Sequence, residues 1–529
     1  MISIINSSNL MGIESFVVKV EVDITNGLPC FYIVGLPSTE IKESRERVKS
    51  AIINSGYRFP SSRIIVNLSP ADLRKEGVFL DLAICIGILK NIIDVEDDYI
   101  DESLFIGEIS LDGAVKKVRG ILPMIDGIKN SHLKRVFIPY ENKNESLLID
   151  GIEIIPVKTL NDCIQILSDT SHKKIDYDAK VLKSISVKEE VRGKVKSRKD
   201  QVGKTVTPVY DEDFSDIRGN YFAKRSAEIA AAGNHNMLMI GPPGSGKTML
   251  AKRIRTILPD ITKEEMMEVS KIYSVLGLLD SEKYIVDKRP FRSPHHTTTK
   301  IALVGGGADA KPGEVTMAHR GVLFLDEIAE FDRRILESLR QPIEDKYINI
   351  SRLKNNFRYP CNLLLIAAMN PCPCGYYQSD TECRCRRADI DRYLSRLSGP
   401  LLDRFDIFIE MSQVSFEELN SGKKSERSEQ IKKRVDMARG IQADRFNGTN
   451  MRTNSEIKSS MLKEYCRLSK EAENTVGRIF KKYRLSNRSY TKLLTTARTI
   501  ADLEKKENIE AENIIEAFSF RKSYYGYFR

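Results

Sequence analysis

The feature that most constrains the fold of this 529-residue chain is the segment Gly241-Pro242-Pro243-Gly244-Ser245-Gly246-Lys247-Thr248. It fits the pattern G-x-x-x-x-G-K-[ST] at every fixed position. The apolar run 236–240 precedes it, and residues 249–254 can begin a helix. A strand, a glycine-rich turn and a helix N-terminus together direct backbone N–H groups toward phosphate oxygens. The segment therefore predicts a loop that binds nucleotide phosphates.

Two carboxylates follow this phosphate loop after about 80 residues. The run 322–325 predicts a buried strand that ends at Asp326 and Glu327. In such a pair of motifs, we expect Lys247 to reach the β- and γ-phosphates and Thr248 to ligate Mg²⁺. Asp326 would hold the Mg²⁺ shell, and Glu327 would polarise the attacking water. The two motifs together predict hydrolysis of a nucleoside triphosphate, with ATP and Mg²⁺ as the expected ligands.

Composition limits the class of protein. A chain of this length is too long for one core, so two to four domains are expected. The hydrophobic content of 41% and the charged content of 29% are ordinary for a globular protein. The sequence has neither an 18-residue apolar stretch nor an N-terminal signal pattern, which predicts a cytoplasmic protein without a membrane partner. Its net charge of +10 is compatible with a nucleic-acid partner.

The residue pattern predicts an α/β chain in four parts. Residues 1–170 alternate strands and helices, and residues 171–207 are a basic stretch without apolar periodicity. That stretch is interpreted as a flexible linker whose charge is either solvated surface or an attraction for nucleic acid. Residues 208–410 carry the ATPase core, with a cysteine-rich insertion at 370–386. Residues 411–529 form a polar helical lid, with its clearest helices at 465–483 and 489–505.

Local signals place the elements of the N-terminal part. Two strands are expected to pair around the turn Asn26-Gly27, and Ser38 is expected to cap a helix. The predicted elements are strands at 16–22, 30–35, 63–68 and 104–108 and helices at 38–55 and 80–89.

Residues 75–82 and 107–113 of this part resemble the proteolytic domain of Lon-type proteases, which has a ribosomal S5 domain 2-like fold. Lon-type catalysis needs a serine nucleophile activated by a lysine. Matching the motifs puts Phe79 at the serine position and Leu122 at the lysine position. Neither side chain can perform this chemistry. The resemblance therefore implies the fold without protease activity, as a scaffold for assembly or for nucleic-acid contact.

A displaced dyad is the other way in which this part could be a protease. It would join Ser110 to Lys116 or Lys117. We do not favour it, because it departs from the Lon-type positions.

Further segments resemble AAA+ ATPases of the Mg-chelatase and MCM type. Residues 213–219, which include Ile217, resemble the segment that packs against adenine. An ordinary loop between a strand and a helix is the alternative. Asn370 ends an apolar run, as the sensor 1 residue does. Arg404 lies in a segment similar to the arginine finger, which neutralises charge at the next subunit's nucleotide. A structural salt bridge is the alternative role for this residue. Arg488 matches the sensor 2 position and would contact the γ-phosphate from the lid, with Arg498 as the less favoured candidate. The arginine finger implies a homo-oligomeric ring, expected to be a hexamer.

Two loops are candidates for DNA contact. Residues 343–359 have the pattern of a hairpin with a basic tip, at the position of the pre-sensor 1 hairpin of this clade. Basic groups on such pore loops follow the phosphate backbone, which makes Arg352 and Lys354 the candidates. Lys311, in the glycine-rich loop 303–314, is a weaker one. The alternative for the hairpin is a surface loop with solvated charges.

Cysteine and histidine clusters raise the question of a metal. Four cysteines lie in two C-x-C motifs that are separated by eight residues, and four such thiolates can supply a tetrahedral Zn²⁺ site. Redox-active thiols and an incidental cluster are the alternatives. These cysteines are Cys372, Cys374, Cys383 and Cys385. The adjacent His295 and His296 are interpreted as structural hydrogen-bonding residues.

Taken together, the chain resembles the Mg-chelatase-like AAA+ proteins of the YifB/ComM type over nearly its whole length. The segments 290–296, 321–327 and 369–375 carry the resemblance most specifically. It implies a hexameric, ATP-driven DNA motor, because ComM-type members promote branch migration during integration of transforming DNA. The alternative is an ATPase that remodels a protein partner, as Mg-chelatase I subunits do. Branched or single-stranded DNA is thus the expected partner.

Overall fold

In the computed structural model the chain divides into two compact units. The first comprises Met1–Val206 and Lys263–Val286, and the second comprises Thr207–Thr262 and Asp287–Arg529. The structure describes residues 2–93, 95, 97–168, 210–279, 284–307, 309–351, 356–414 and 425–528. The predicted linker 171–207 lies outside these residues.

The first unit is built on a mixed sheet whose strands run in the order β3-β4-β2-β1-β5-β8-β9. The strands of this unit are β1 (Ile2–Met11), β2 (Glu14–Thr25), β3 (Cys30–Val34), β4 (Arg63–Ser69), β5 (Ser103–Phe105), β6 (Glu108–Ile109), β7 (Val115–Lys116), β8 (Arg135–Pro139) and β9 (Glu153–Val157). Its helices are Thr39–Asn54, Asp81–Leu89, Asp97–Asp101, Ile121–Asp126, Leu160–Ser168 and Lys263–Val275. Short 3₁₀ turns lie at Tyr140–Asn142 and Glu145–Leu148.

The predicted pairing of the strands at 16–22 and 30–35 is wrong. β4 lies between β2 and β3, antiparallel to β2 and parallel to β3. Val66 of β4 is opposite Val22 on one side and Ile33 on the other. All three side chains are buried, and as neighbours across adjacent strands they lie on the same face of the sheet. A turn signal reverses the chain, but it does not determine which strand takes the neighbouring place.

Both helices predicted for this unit are confirmed. The helix Thr39–Asn54 begins after Ser38, whose hydroxyl accepts a hydrogen bond from the Ile41 amide. The predicted helix at 80–89 is found as Asp81–Leu89. The predicted strand at 104–108 is divided between β5 and β6.

The Lon-like positions are part of the hydrophobic core. Phe79 and Leu122 are both buried among apolar side chains. Ser110 hydrogen-bonds Asp112 at 2.5 Å, and Lys117 donates to the Leu279 carbonyl at 2.8 Å. Ser110 and Lys117 therefore have other partners, and they do not form a serine–lysine pair with each other.

The second unit contains a parallel sheet in the order β11-β14-β17-β10-β18 and two short hairpins. Its strands are β10 (Met237–Ile240), β11 (Phe291–Arg292), β12 (Gly305–Gly306), β13 (Lys311–Pro312), β14 (Val322–Leu325), β15 (Tyr347–Ser351), β16 (Asn356–Pro360), β17 (Leu364–Met369) and β18 (Ile407–Glu410). β10, β14 and β17 are buried along their whole length, as expected for strands covered on both faces. Residues that follow these strands therefore meet at one edge of the sheet.

Helices surround this sheet and form the C-terminal region. They are Tyr221–Gly233, Lys247–Ile254, Lys300–Val304, Glu314–Met317, Arg333–Ser338, Arg340–Asp345, Arg387–Leu394, Gly399–Leu402, Ser428–Arg445, Leu462–Tyr465, Lys470–Tyr483, Asn487–Leu503 and Ala511–Tyr527. Short 3₁₀ turns lie at Phe214–Asp216, Ile328–Glu330, Asn454–Glu456 and Ser459–Met461. The two predicted lid helices begin at Lys470 and Asn487, because Ser469 and Ser486 cap them. Within the described residues, no helix combines the length and apolar character needed to cross a membrane.

Candidate functional site

The phosphate loop joins β10 to the helix Lys247–Ile254, as the sequence predicts. Gly244 and Gly246 have φ angles of +78° and +88°, which favour glycine. A Cβ atom on Gly241 would lie 2.3 Å from the Met411 carbonyl oxygen, so the backbone there has no room for a side chain. The predicted set Gly241, Pro242, Pro243, Gly244, Ser245, Gly246, Lys247 and Thr248 thus forms one continuous loop that ends in the first two residues of the helix.

The side chain of Lys247 lies inside this turn. Its ammonium group donates to the carbonyls of Gly241 at 2.6 Å and Pro242 at 2.8 Å. Burial lowers the pKa of Lys247 to about 8, although the charges of Asp326 and Glu327 oppose that shift. A buried cation inside a glycine-rich loop is suited to bind the polyanionic end of a nucleoside triphosphate.

Thr248 and Asp326 are held together at the carboxyl edge of the sheet. The Thr248 hydroxyl donates to the Asp326 carboxylate at 2.8 Å. A hydroxyl and a carboxylate oxygen so placed form a ligand set suited to Mg²⁺. The other Asp326 oxygen accepts the backbone N–H of Glu327 at 3.0 Å.

Glu327 follows Asp326 in a left-handed conformation, with φ of +49°. This backbone position is costly for a residue with a side chain and is common at active sites. The carboxylate is half exposed and lies 3.7 Å from the Nδ1 atom of His296. An exposed carboxylate beside a candidate Mg²⁺ ligand can accept a proton from water.

Asn370 and Ile217 complete the surroundings of the phosphate loop. Asn370 follows β17, and its amide oxygen accepts a 3.3 Å hydrogen bond from Lys247. Ile217 is buried, and its carbonyl accepts hydrogen bonds from Lys224 and Ser425. The predicted contact of this segment with adenine stays a prediction.

Arg404 lies at the opposite edge of the sheet. Its carbonyl accepts a 3.0 Å hydrogen bond from the side chain of Asn236, which directly precedes β10. Asn236 also donates its backbone N–H to Asp406 at 2.9 Å, so it fixes the segment before β18. The phosphate loop begins at the other end of β10, and a four-residue strand is about 13 Å long. Arg404 therefore faces away from the phosphate loop of its own chain.

Arg488 meets Arg404 at one carboxylate. The Nη2 atom of Arg404 donates to Oε2 of Glu344, and the Nη2 atom of Arg488 donates to Oε1 of the same residue at 2.6 Å. Arg498, by contrast, is buried and donates to Asp502 and to two backbone carbonyls. Arg498 thus stabilises the C-terminal helices.

Four cysteines approach one another directly after Asn370. The Cys372 sulfur lies 3.4 Å from that of Cys374 and 3.7 Å from that of Cys383, and the Cys374 and Cys383 sulfurs are 3.6 Å apart. All four sulfur atoms, including that of Cys385, lie within 4.8 Å of one another. Four thiolates around Zn²⁺ at about 2.3 Å have sulfur–sulfur separations of about 3.8 Å. The cluster therefore fits a tetrahedral zinc ion.

Backbone amides contribute to the electrostatics of this cysteine cluster. Burial raises the pKa of the Cys374 thiol, but hydrogen bonds from the backbone N–H groups of Tyr376 and Arg384 outweigh it, and the pKa falls to about 6. The loop also contacts the phosphate loop, since a Cβ atom on Gly375 would lie 2.7 Å from Pro243. A metal ion bound by the four cysteines would fix the position of Asn370 relative to the phosphate loop.

The structure confirms the hairpin that was predicted between residues 343 and 359. β15 and β16 pair antiparallel up to Ser351 and Asn356. The candidate DNA-binding residues Arg352 and Lys354 lie outside the described residues. Lys311 is exposed and forms a 2.9 Å ion pair with Asp309. Its role in DNA binding stays a prediction.

Models of three parts of Mg-chelatase match the chain. The family model described as "Magnesium chelatase, subunit ChlI" matches residues 213–419. The model "Subunit ChlI of Mg-chelatase" matches residues 20–142, and the model "Magnesium chelatase, subunit ChlI C-terminal" matches residues 425–521. Competence protein ComM of Haemophilus influenzae is 38% identical over 98% of this chain and 97% of its own. The chain belongs to the Mg-chelatase-like family of ComM and YifB. As a member, it has the AAA+ ATPase role of the family, with ATP and Mg²⁺ as ligands.

Two further relatives are similar to the chain over different lengths. YifB of Escherichia coli is 39% identical over 98% of this chain and 97% of its own. Lon protease 2 of Bacillus subtilis is 36% identical over 124 residues, 23% of this chain and 22% of its own. The Lon-like resemblance of the N-terminal part is thereby confirmed as a fold relationship.

Several residues at the site have no motif that could reveal them. Glu344 lies in an ordinary helix and is recognised only because two distant arginines meet on it. Asn236 directly precedes β10, and no motif in the sequence indicates its hydrogen bonds to Arg404 and Asp406. His296 is part of a predicted structural pair, and its closeness to Glu327 depends on the packing of two loops.

Proposed function

We propose that this chain is an ATP-driven DNA motor that works as a homo-oligomeric ring, a hexamer engaged in branch migration. The observation that supports the ring is the position of Arg404 at the sheet edge opposite its own phosphate loop. An arginine finger in that position serves the nucleotide of the neighbouring protomer. Arg488 contacts the same glutamate as Arg404, so it would serve the same neighbouring nucleotide.

The proposed chemistry uses one protomer's phosphate loop and the next protomer's arginines. Lys247 and the loop amides hold the triphosphate, while Thr248 and Asp326 hold Mg²⁺. Glu327 orients and deprotonates water, and Asn370 positions it at the γ-phosphate. The two arginines then neutralise the charge that develops on the transferred phosphoryl group.

Mixed rings test the shared site. The Arg404→Ala variant keeps its own phosphate loop, and the Lys247→Ala variant keeps its own arginines. Each alone should lose ATPase activity, but mixing them should restore part of it where a Lys247→Ala protomer supplies Arg404 to its neighbour. Failure of the mixture to exceed the sum of the separate variants would refute the shared site.

DNA as the partner is supported by the net charge of +10 and by the basic hairpin. We expect forked or four-way junction DNA to stimulate the ATPase, and the double change Arg352→Ala/Lys354→Ala to abolish the stimulation with basal activity intact. Lys463→Ala/Lys470→Ala, at two exposed lysines elsewhere, is the control of equal charge. The absence of stimulation by any DNA would favour a protein remodeller, the activity that the Mg-chelatase similarity offers as the alternative.

We also propose that Cys372, Cys374, Cys383 and Cys385 hold one Zn²⁺ ion. The sulfur separations support it, because they approach those of a tetrahedral tetrathiolate site. This zinc would have a structural role, since four protein ligands leave no open position on the metal.

A further inference from the structure

The carboxylate of Glu344 is shared by two arginines from distant parts of the chain. Arg404 is 60 residues away and Arg488 is 144 residues away. Each guanidinium takes a different oxygen of the carboxylate, which is also how paired arginines bind a phosphate group. The three groups together carry one net positive charge.

Burial and mutual repulsion make it unfavourable for the two arginines to keep their positive charges in this position. Arg404 is largely buried, with its side chain 11% exposed, and its Nε atom has no hydrogen-bond partner. Burial lowers the pKa of Arg404, and the neighbouring charge of Arg488 lowers it further. Two cations held close together need an anion between them, and Glu344 supplies it.

Glu344 itself is replaceable from the solvent side. Its side chain is half exposed, and Arg488 is exposed to a similar degree. A γ-phosphate has more negative charge than a carboxylate and three oxygens in place of two. It can therefore displace Glu344 and accept hydrogen bonds from both arginines at once.

We propose that Glu344 occupies the place of the neighbouring protomer's γ-phosphate and is displaced when the ring closes on ATP. This inference rests on the proposed function, because it requires Arg404 and Arg488 to act on a neighbouring nucleotide. Glu344 is then a positioning residue that keeps both arginines ordered. Glu344 also determines the ATP concentration at which the two arginines bind the neighbouring γ-phosphate.

The test compares Glu344→Gln and Glu344→Ala with wild type by steady-state ATPase over a range of ATP concentrations. Removing the competing charge should lower the half-maximal ATP concentration about three- to tenfold, with kcat changed less than twofold. The difference should shrink at high salt, because the competition is electrostatic. Glu429→Gln is the control, since it removes an equal charge from an exposed pair with Lys433.

Arg404→Ala separates the two ideas. If this variant keeps full ATPase activity, the shared site and the role of Glu344 are both overturned. If it loses activity while both Glu344 variants show an unchanged or raised half-maximal ATP concentration, only the role of Glu344 is overturned. If the Glu344 variants unfold at the same temperature as the wild type, the kinetic effect does not come from a loss of folded structure.

Discussion

The ammonium nitrogen of Lys247 lies 3.3 Å from the amide oxygen of Asn370, the residue that follows β17. This contact joins the phosphate loop to the strand that lies beside β10 in the sheet. A γ-phosphate bound at this position would therefore contact both residues.

Replacing Asn370 by alanine should reduce kcat about 10²-fold while ATP affinity changes little, because a positioned polar group acts mainly in the transition state. Stopped-flow binding and steady-state hydrolysis measure the two quantities. Asn362→Ala is the matched control, since Asn362 precedes the same strand and bonds Glu456 instead. A comparable loss in the Asn362 variant would show that the strand, and not the amide at the site, is responsible.

Replacing Glu327 by glutamine should leave ATP binding intact and lower hydrolysis by about 10²- to 10⁴-fold, the usual contribution of a general base. Equilibrium binding of a fluorescent ATP analogue and phosphate release measure these effects. Retention of more than a tenth of the hydrolysis rate would mean that another group activates the water.

ATP binding should take up a proton above about pH 8. The free enzyme has Lys247 with a pKa of about 8, whereas bound phosphates favour its charged form. Affinity should therefore be constant below pH 8 and fall with rising pH above it, by up to about tenfold per unit. Calorimetry in two buffers of different ionisation enthalpy detects this uptake at pH 8.5 but little at pH 7. Equal heats in both buffers at pH 8.5 would contradict the prediction.

The second unit should lose stability in mild acid because of His235. Burial lowers its pKa to about 4, although Asp406 opposes the shift. The unfolded chain then binds a proton near pH 6.5 that the folded chain does not, so stability is full above pH 6.5 and falls toward pH 4. The loss approaches about 3 kcal/mol.

Thermal unfolding between pH 4.5 and 7 measures this dependence. The slope should flatten in His235→Gln and persist in His132→Gln, a change at an exposed histidine of the first unit. Identical slopes in the two variants would assign the acid sensitivity to other groups.

Purified protein should contain one zinc per chain, measurable by elemental analysis. Cys372→Ser/Cys383→Ser should remove the metal and reduce ATPase activity, because Cys372 is two residues from Asn370 and the loop contacts Pro243. Cys30→Ser, at an isolated half-buried cysteine, should change neither. A metal-free wild-type protein with full activity would contradict the zinc proposal.

The sequence predicted the elements that depend on neighbouring residues. Ser38 marks a helix start because its hydroxyl caps an amide three residues away. The pairing of β2 with β3 was predicted wrongly from an equally local signal. A turn residue carries information about the reversal of the chain but none about β4, which arrives more than 30 residues later and takes the intervening place.

By itself, the sequence determined the nucleotide-binding loop, the acidic strand end and the family. Their residues are consecutive, so backbone geometry alone brings the phosphate-binding groups together. Only the tertiary structure decided that Arg404 faces away from its own phosphate loop and that Arg488 shares Glu344 with it. Those relations depend on the order of parallel strands and on contacts between residues 60 and 144 positions apart. Side-chain packing across the whole second unit sets such contacts, and no local pattern in the chain records them.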